Sequence, residues 1–200
     1  MFRLPIKSPL RPFLTLPFGD TKYIDWYKAN GVNIDAHNGA DFVCGSSLQT
    51  YGTELVCPFP TAKVVKISFE SPMSTKGNGV VIEAKNDLDV YQVVFWHTGE
   101  VKLYLGDSVK EGDVVCYIGN SGLCSPAPTT EFPYNGSHLH LMVKKNNVLI
   151  DPLTIFDASS WYLGIDSGSQ HDISPLLWRW NLKGIKDWWL KMIDAYKFWK

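Results

Sequence analysis

The sequence predicts a mainly β protein built on an antiparallel sheet, and three observations predict it. Five stretches rich in Val, Ile, Phe and Tyr, at 62–69, 79–84, 90–96, 114–118 and 138–144, suit a pleated, half-buried surface. Clusters of Gly, Asn, Asp and Ser separate them, as in KGNG, KNDLD, LGDSVKEGD and GNSG, and KKNNV reads as a hairpin turn. A composition of 45% hydrophobic and 20% charged residues over 200 positions supplies enough apolar side chains for one packed core.

Taken from the start, Pro5, Pro9, Pro12 and Pro17 interrupt every apolar stretch before it reaches the roughly 7 to 15 residues of a signal-peptide core. No secretory signal is expected, and no apolar run approaches the roughly 18 residues of a membrane span. The formal charge of -1 gives no reason to expect a nucleic-acid partner, which needs a clustered excess of Lys and Arg. Cys44, Cys57, Cys116 and Cys124 lack CxxC spacing, so they are not read as a structural zinc site. Without an export signal they are expected as reduced, buried thiols, with disulfides as the alternative. The β domain is expected to close near Asp151 and Pro152, giving a domain over 1–157.

After Phe156 the character changes, and 158–200 reads as an aromatic, basic helical appendage. Ile185, Trp188, Trp189, Met192, Ile193, Tyr196 and Trp199 recur at spacings of three and four, which places them on one side of a helix. Lys186, Asp187, Lys191, Asp194 and Lys197 fall largely on the other side.

Four of the five histidines stand near turns or strand ends: His37 in HNGAD, His97 in VVFWHTGE, and His138 and His140 in GSHLHLMV. Side chains alternate along a strand, so His138 and His140 project to one side. His37 and Asp41 are four apart and share a face if the backbone is extended, with Gly39 between them letting the chain bend. Two histidines and a carboxylate form a three-ligand set that suits zinc with a fourth position kept for water. Such an ion acidifies water and polarises a carbonyl, and the histidines outside the ligand set suit proton transfer and oxyanion stabilisation. His171, in a Gly- and Ser-rich stretch, and Asp20, Asp25 and Asp35 read as solvated loop residues.

In order along the chain, these motifs resemble the lysostaphin-type (LytM-like) zinc endopeptidases of peptidoglycan, from about Arg11 to Phe156. HNGADF is similar to the family's HxGxD motif and GSHLHLMV to its HxH motif. The resemblance implies one Zn2+ per chain on His37, Asp41 and His140, with His97 and His138 as catalytic residues. VKLYLGDSVKEGDVVCYIGNSG resembles the run that follows the family's catalytic histidine, where Thr98 stands in place of a frequent Leu. PFG at 17–19 resembles the lead into its first strand. VCGSSLQTYG and LCSPAPTTEFPYN are longer than the family's usual links and are expected to border a substrate groove, with Tyr134 and Asn135 as groove candidates.

The function implied is a zinc metalloendopeptidase acting on peptidoglycan peptides at the bacterial cell wall, with an inactive wall-binding or activator module and a phage tail component as alternatives. Lacking an export signal, the protein would reach the wall by lysis or as part of a virion. Two readings stand for residues 178–200: packing on the β domain or another copy, and contact with a membrane surface or a phage structural partner.

Overall fold

In a computed structural model, residues 1–69 and 75–163 are described. The amphipathic helix expected over 185–199, the contacts expected of residues 178–200 and His171 lie outside the described residues. Strands β1 (Ile6–Lys7) and β2 (Phe13–Leu16) precede helix α1 (Ile24–Ala29), β3 (Ala40–Val43) and the short helix α2 (Ser47–Thr50). Next come β4 (Glu54–Val56), β5 (Thr61–Ser68), β6 (Gly79–Asn86) and β7 (Asp89–Trp96). The series ends with β8 (Ser108–Lys110), β9 (Val114–Tyr117), β10 (Leu139–Lys145), β11 (Val148–Ile150) and β12 (Tyr162–Leu163).

The protein is mainly antiparallel β, as expected, and β5, β6, β7, β9 and β10 are the five strands read from the sequence. Among the described residues the main sheet runs β12-β2-β3-β10-β7-β6-β5-β8, with β11 paired to β10, and β1-β4-β9 form a smaller sheet. The KKNNV hairpin joins β10 to β11, with Asn146 (φ 53°) and Asn147 (φ 64°) both left-handed. Two successive positive-φ residues are what a two-residue turn matched to strand twist requires, and Asn tolerates them. Beyond Phe156, Tyr162 and Leu163 pair in parallel with Phe13 and Leu14 at the sheet's edge.

The core lies on one face of the main sheet. Ala40 and Phe42 of β3, Val93 and Phe95 of β7, and Leu139, Leu141 and Val143 of β10 are all fully buried there. Each such Leu, Val or Phe contributes about 1.5–3 kcal/mol over exposure. The alternate residues Val94, Trp96 and Met142 form a separate cluster with Val81 on the opposite face. Because the side-chain period is two, a one-residue slip of β10 would exchange these sets, so the apolar face fixes the register of everything on the other side. No disulfide joins the four cysteines, and all four are buried. Among the described residues no helix is long and apolar enough to cross a membrane.

Candidate metal centre

The register of β10 builds the centre of the site. His140 lies directly opposite Asp41 of β3 on one side and Trp96 of β7 on the other. Both His140 and Asp41 therefore share the face that carries Met142, away from the core, and His138, two residues earlier, has the same phase. His37 arrives from the loop before β3, where its N–H donates to Asp20 O and its carbonyl accepts from Gly19 N, both at 2.8 Å. Its Nδ1 faces Pro17 O at 3.0 Å, and since a carbonyl only accepts, Nδ1 carries the proton and Nε2 keeps the lone pair. Residues 17–20 thus follow β2 and clamp His37, where the sequence suggested a lead into the first strand.

His37 Nε2 lies 3.1 Å from His140 Nδ1 and 3.4 Å from Asp41 Oδ1, and His140 Nδ1 lies 2.8 Å from Asp41 Oδ1. Around a tetrahedral zinc with ligands at about 2.0–2.1 Å, neighbouring donor atoms stand about 3.3 Å apart. The three donors, 2.8–3.4 Å apart, come within about 0.5 Å of that spacing and converge in a set that could hold a divalent cation. Burial opposes ionisation of Asp41, but the facing imidazoles of His37, His138 and His140 outweigh it and hold its carboxyl well below the usual range. Burial likewise lowers His140, whereas for His37 the Asp41 carboxylate overcomes burial and raises it.

Gly39 serves this centre by its missing side chain. A Cβ there would lie 2.7 Å from His140 Cε1 and 2.7 Å from the Leu141 carbonyl oxygen, so the imidazole occupies the space. The sequence reading gave Gly39 a bending role, and the close approach is the physical requirement.

His97 and His138 stand beside the centre, with ring centroids 4.6 Å apart, and His97 lies 5.9 Å from His140 by the same measure. Nδ1–H of His97 donates to Ser121 O at 2.8 Å and that of His138 to Gly136 O at 2.7 Å. Each ring therefore keeps its lone pair on Nε2. Burial, then His138 and His140, holds His97 down to about 3, so its ring is neutral at neutral pH. His97 also adopts φ 58°, while Asp87, Asn146 and Asn147, the other non-glycine residues with positive φ among those described, sit in hairpin turns. That conformation costs about 1–3 kcal/mol and persists only where neighbours impose it. Here Thr98 N donates to Asn78 O at 3.1 Å and Gly119 N to His97 O at 3.1 Å, while His138 N donates to Gly119 O at 3.3 Å. Gly119 thereby ties both histidines together.

The cavity at the centre is lined by His37, His97 and His140 with Tyr27, Lys76, Trp96 and Met142. Tyr27, from α1, was not singled out by the sequence and lies nearly parallel to the His37 ring, at 15° with centroids 6.2 Å apart. Burial, then the Asp41 carboxylate, pushes its hydroxyl far above the usual range, so it remains a proton donor. A single half-buried Tyr in a short helix with no fully buried residue carries no motif that would have marked it. Tyr134, a groove candidate, stacks at a tilt on Tyr51 with centroids 5.0 Å apart, and Asn135 O accepts from Asn120 Nδ2 at 2.9 Å.

No curated protein matches the chain. Among solved structures it is similar to a zinc-containing peptidase from Vibrio cholerae, at 23% identity and TM-score 0.53 over 75% of this chain. The chain spans 38% of that protein's length. It is also similar to the catalytic domain of the prophage-encoded M23 protein EnpA from Enterococcus faecalis, crystallised as a point mutant, at 21% identity and TM-score 0.52, covering 77% of this chain and 97% of that one. A chain from the complex of SpoIIIAH and SpoIIQ matches at 18% identity and TM-score 0.55, covering 78% of this chain and 100% of that one. These likenesses concern the fold. Residues 35–152, which hold His37, Asp41, His97, His138 and His140, match Peptidase family M23, and the chain belongs to that family, the lysostaphin-type (LytM-like) peptidases.

Proposed function

We propose that the chain is a zinc metalloendopeptidase that hydrolyses peptide bonds in bacterial peptidoglycan, with His37, Asp41 and His140 holding one Zn2+. The convergence of three donor atoms within 3.4 Å of one another carries this reading. Bound zinc supplies a Lewis acid for a carbonyl and lowers the pKa of water to about 7.

The chain's own residues do the rest. His97 and His138 face the centre as imidazoles whose orientation is fixed by backbone carbonyls, so each can take a proton on Nε2 and return it to a departing amine. The low proton affinity of His97 keeps it in the accepting form. Tyr27, held protonated, can donate to charge that develops on the scissile oxygen. Trp96 and Met142 give the groove floor an apolar surface against which an extended peptide can lie. Wall binding without hydrolysis would need none of this convergence.

The test is digestion of purified sacculi of several crosslink types, read by mass spectrometry of released fragments. The expected result is new peptide termini that disappear with a chelator and return with zinc. A protein that carries one zinc and releases no new terminus from any sacculus would overturn the proposal.

A further inference from the structure

His97 and His138 have a third neighbour that the proposed chemistry does not use. Cys124 is buried at 5% exposure, and its Sγ and a ring nitrogen from each histidine all lie within 4.8 Å of one another. Backbone geometry holds it there. The thiol donates to Ser121 O at 3.5 Å, the same carbonyl that takes the His97 Nδ1 proton at 2.8 Å. On the other side Gly136, whose carbonyl holds His138, packs so closely that a Cβ on it would lie 2.8 Å from Cys124 Cβ. Among the described residues this is the second group able to hold a metal ion, and it shares no residue with His37, Asp41 and His140.

Two imidazoles and a thiol are a softer donor set than two imidazoles and a carboxylate, and they match zinc, cobalt and cadmium. Donors at about 2.1 Å for nitrogen and 2.3 Å for sulfur stand about 3.3–3.7 Å apart around the ion, so the three side chains must close by roughly an ångström. We propose that His97, Cys124 and His138 form a second, thiophilic metal site, filled by Zn2+ beyond the first equivalent, and that filling it stops turnover. As the sulfur–metal bond forms, the Cys124 thiol releases its proton to solvent. A neutral imidazole has one lone pair, so a ring that binds metal through either nitrogen has none left to accept a proton. Both proton-transfer groups are then lost at once. The inhibitory half of this inference rests on the function proposed above, while the binding half stands on the side-chain grouping alone.

Cobalt titration of the full-length apoprotein tests it, because thiolate-bound cobalt has a charge-transfer band that nitrogen and oxygen ligands do not give. The expected result is two equivalents bound, the second bringing the band. Cys124→Ser and Cys124→Ala should each bind one equivalent without the band. His37→Ala should lose the first equivalent and keep the band. In parallel, excess zinc should depress wild-type turnover at least tenfold relative to one equivalent, and this fall should vanish in the Cys124 variants, each compared with its own one-equivalent rate. Saturation of the wild type at one equivalent without a band, or a band that survives both Cys124 substitutions, overturns the second site and leaves the proposed function standing. Failure of even the first equivalent to bind would instead overturn the function.

Discussion

The two faces of the β3-β10-β7 ribbon are made from the same backbone, yet one face carries the core and the other the candidate metal centre. Ala40, Phe42, Leu139, Leu141, Val93 and Phe95 point one way, and Asp41, His140, Met142, Val94 and Trp96 the other. The apolar face is redundant, since several side chains share the work of burial. The polar face is not, because Asp41 and His140 are nearly as buried, at 6% and 9% exposure, and depend on one another and on His37 for partners. A sheet can therefore gather buried polar side chains on alternate positions while the others build the core.

Substitutions on each face should separate stability from chemistry. His140→Ala removes a proposed metal donor; zinc should be lost and turnover should fall by roughly 10³-fold or more, the scale of losing the group that makes the nucleophile, and the apoprotein should also melt lower because buried Asp41 loses its 2.8 Å partner. His97→Ala should keep the zinc, by metal analysis, and lose turnover by about 10²–10⁴-fold. On the opposite face, Leu141→Ala should destabilise the fold by about 2–5 kcal/mol in denaturant titration, with the folded fraction still binding zinc. Gly39→Ala should displace the His140 imidazole and weaken zinc by about 10–100-fold in competition with a chromogenic chelator. The smallest effect is expected at Thr98, whose buried hydroxyl has no hydrogen-bond partner. Thr98→Val should raise stability by about 1 kcal/mol with turnover unchanged, since it removes an unsatisfied polar group and keeps the shape. A loss of stability in that variant would mean that the two faces are not energetically separate at the strand end.

The five strands read from the sequence were legible because they are rich in Val, Ile, Phe and Tyr and are bounded by Gly, Asn, Asp and Ser clusters. β1, β2, β3, β4, β8, β11 and β12 were not, since two to four residues seldom hold enough such side chains to stand out, as the four of β9 do, and β1 and β2 lie among prolines. The site was legible where chemistry demands particular side chains, as in HNGAD and HLH. It was illegible where it relies on backbone. The carbonyls of Pro17, Ser121 and Gly136 set which nitrogen of three histidines is bare, and any residue could supply them. The His97 φ of 58° was hidden for the same reason. Gly39 was noticed for its conformational freedom, but its importance came from a tertiary contact with a residue more than a hundred positions away.

That separation has a further meaning for how the molecule comes into being. His37 and His140 are 103 positions apart, Asp41 and His140 are 99 apart, and β10 is the strand that inserts between β3 and β7. A nascent chain emerging from the ribosome has β3 and β7 long before β10, and so lacks the last donor until most of the sheet is made. The three side chains of the proposed centre can therefore meet only once β10 has been made.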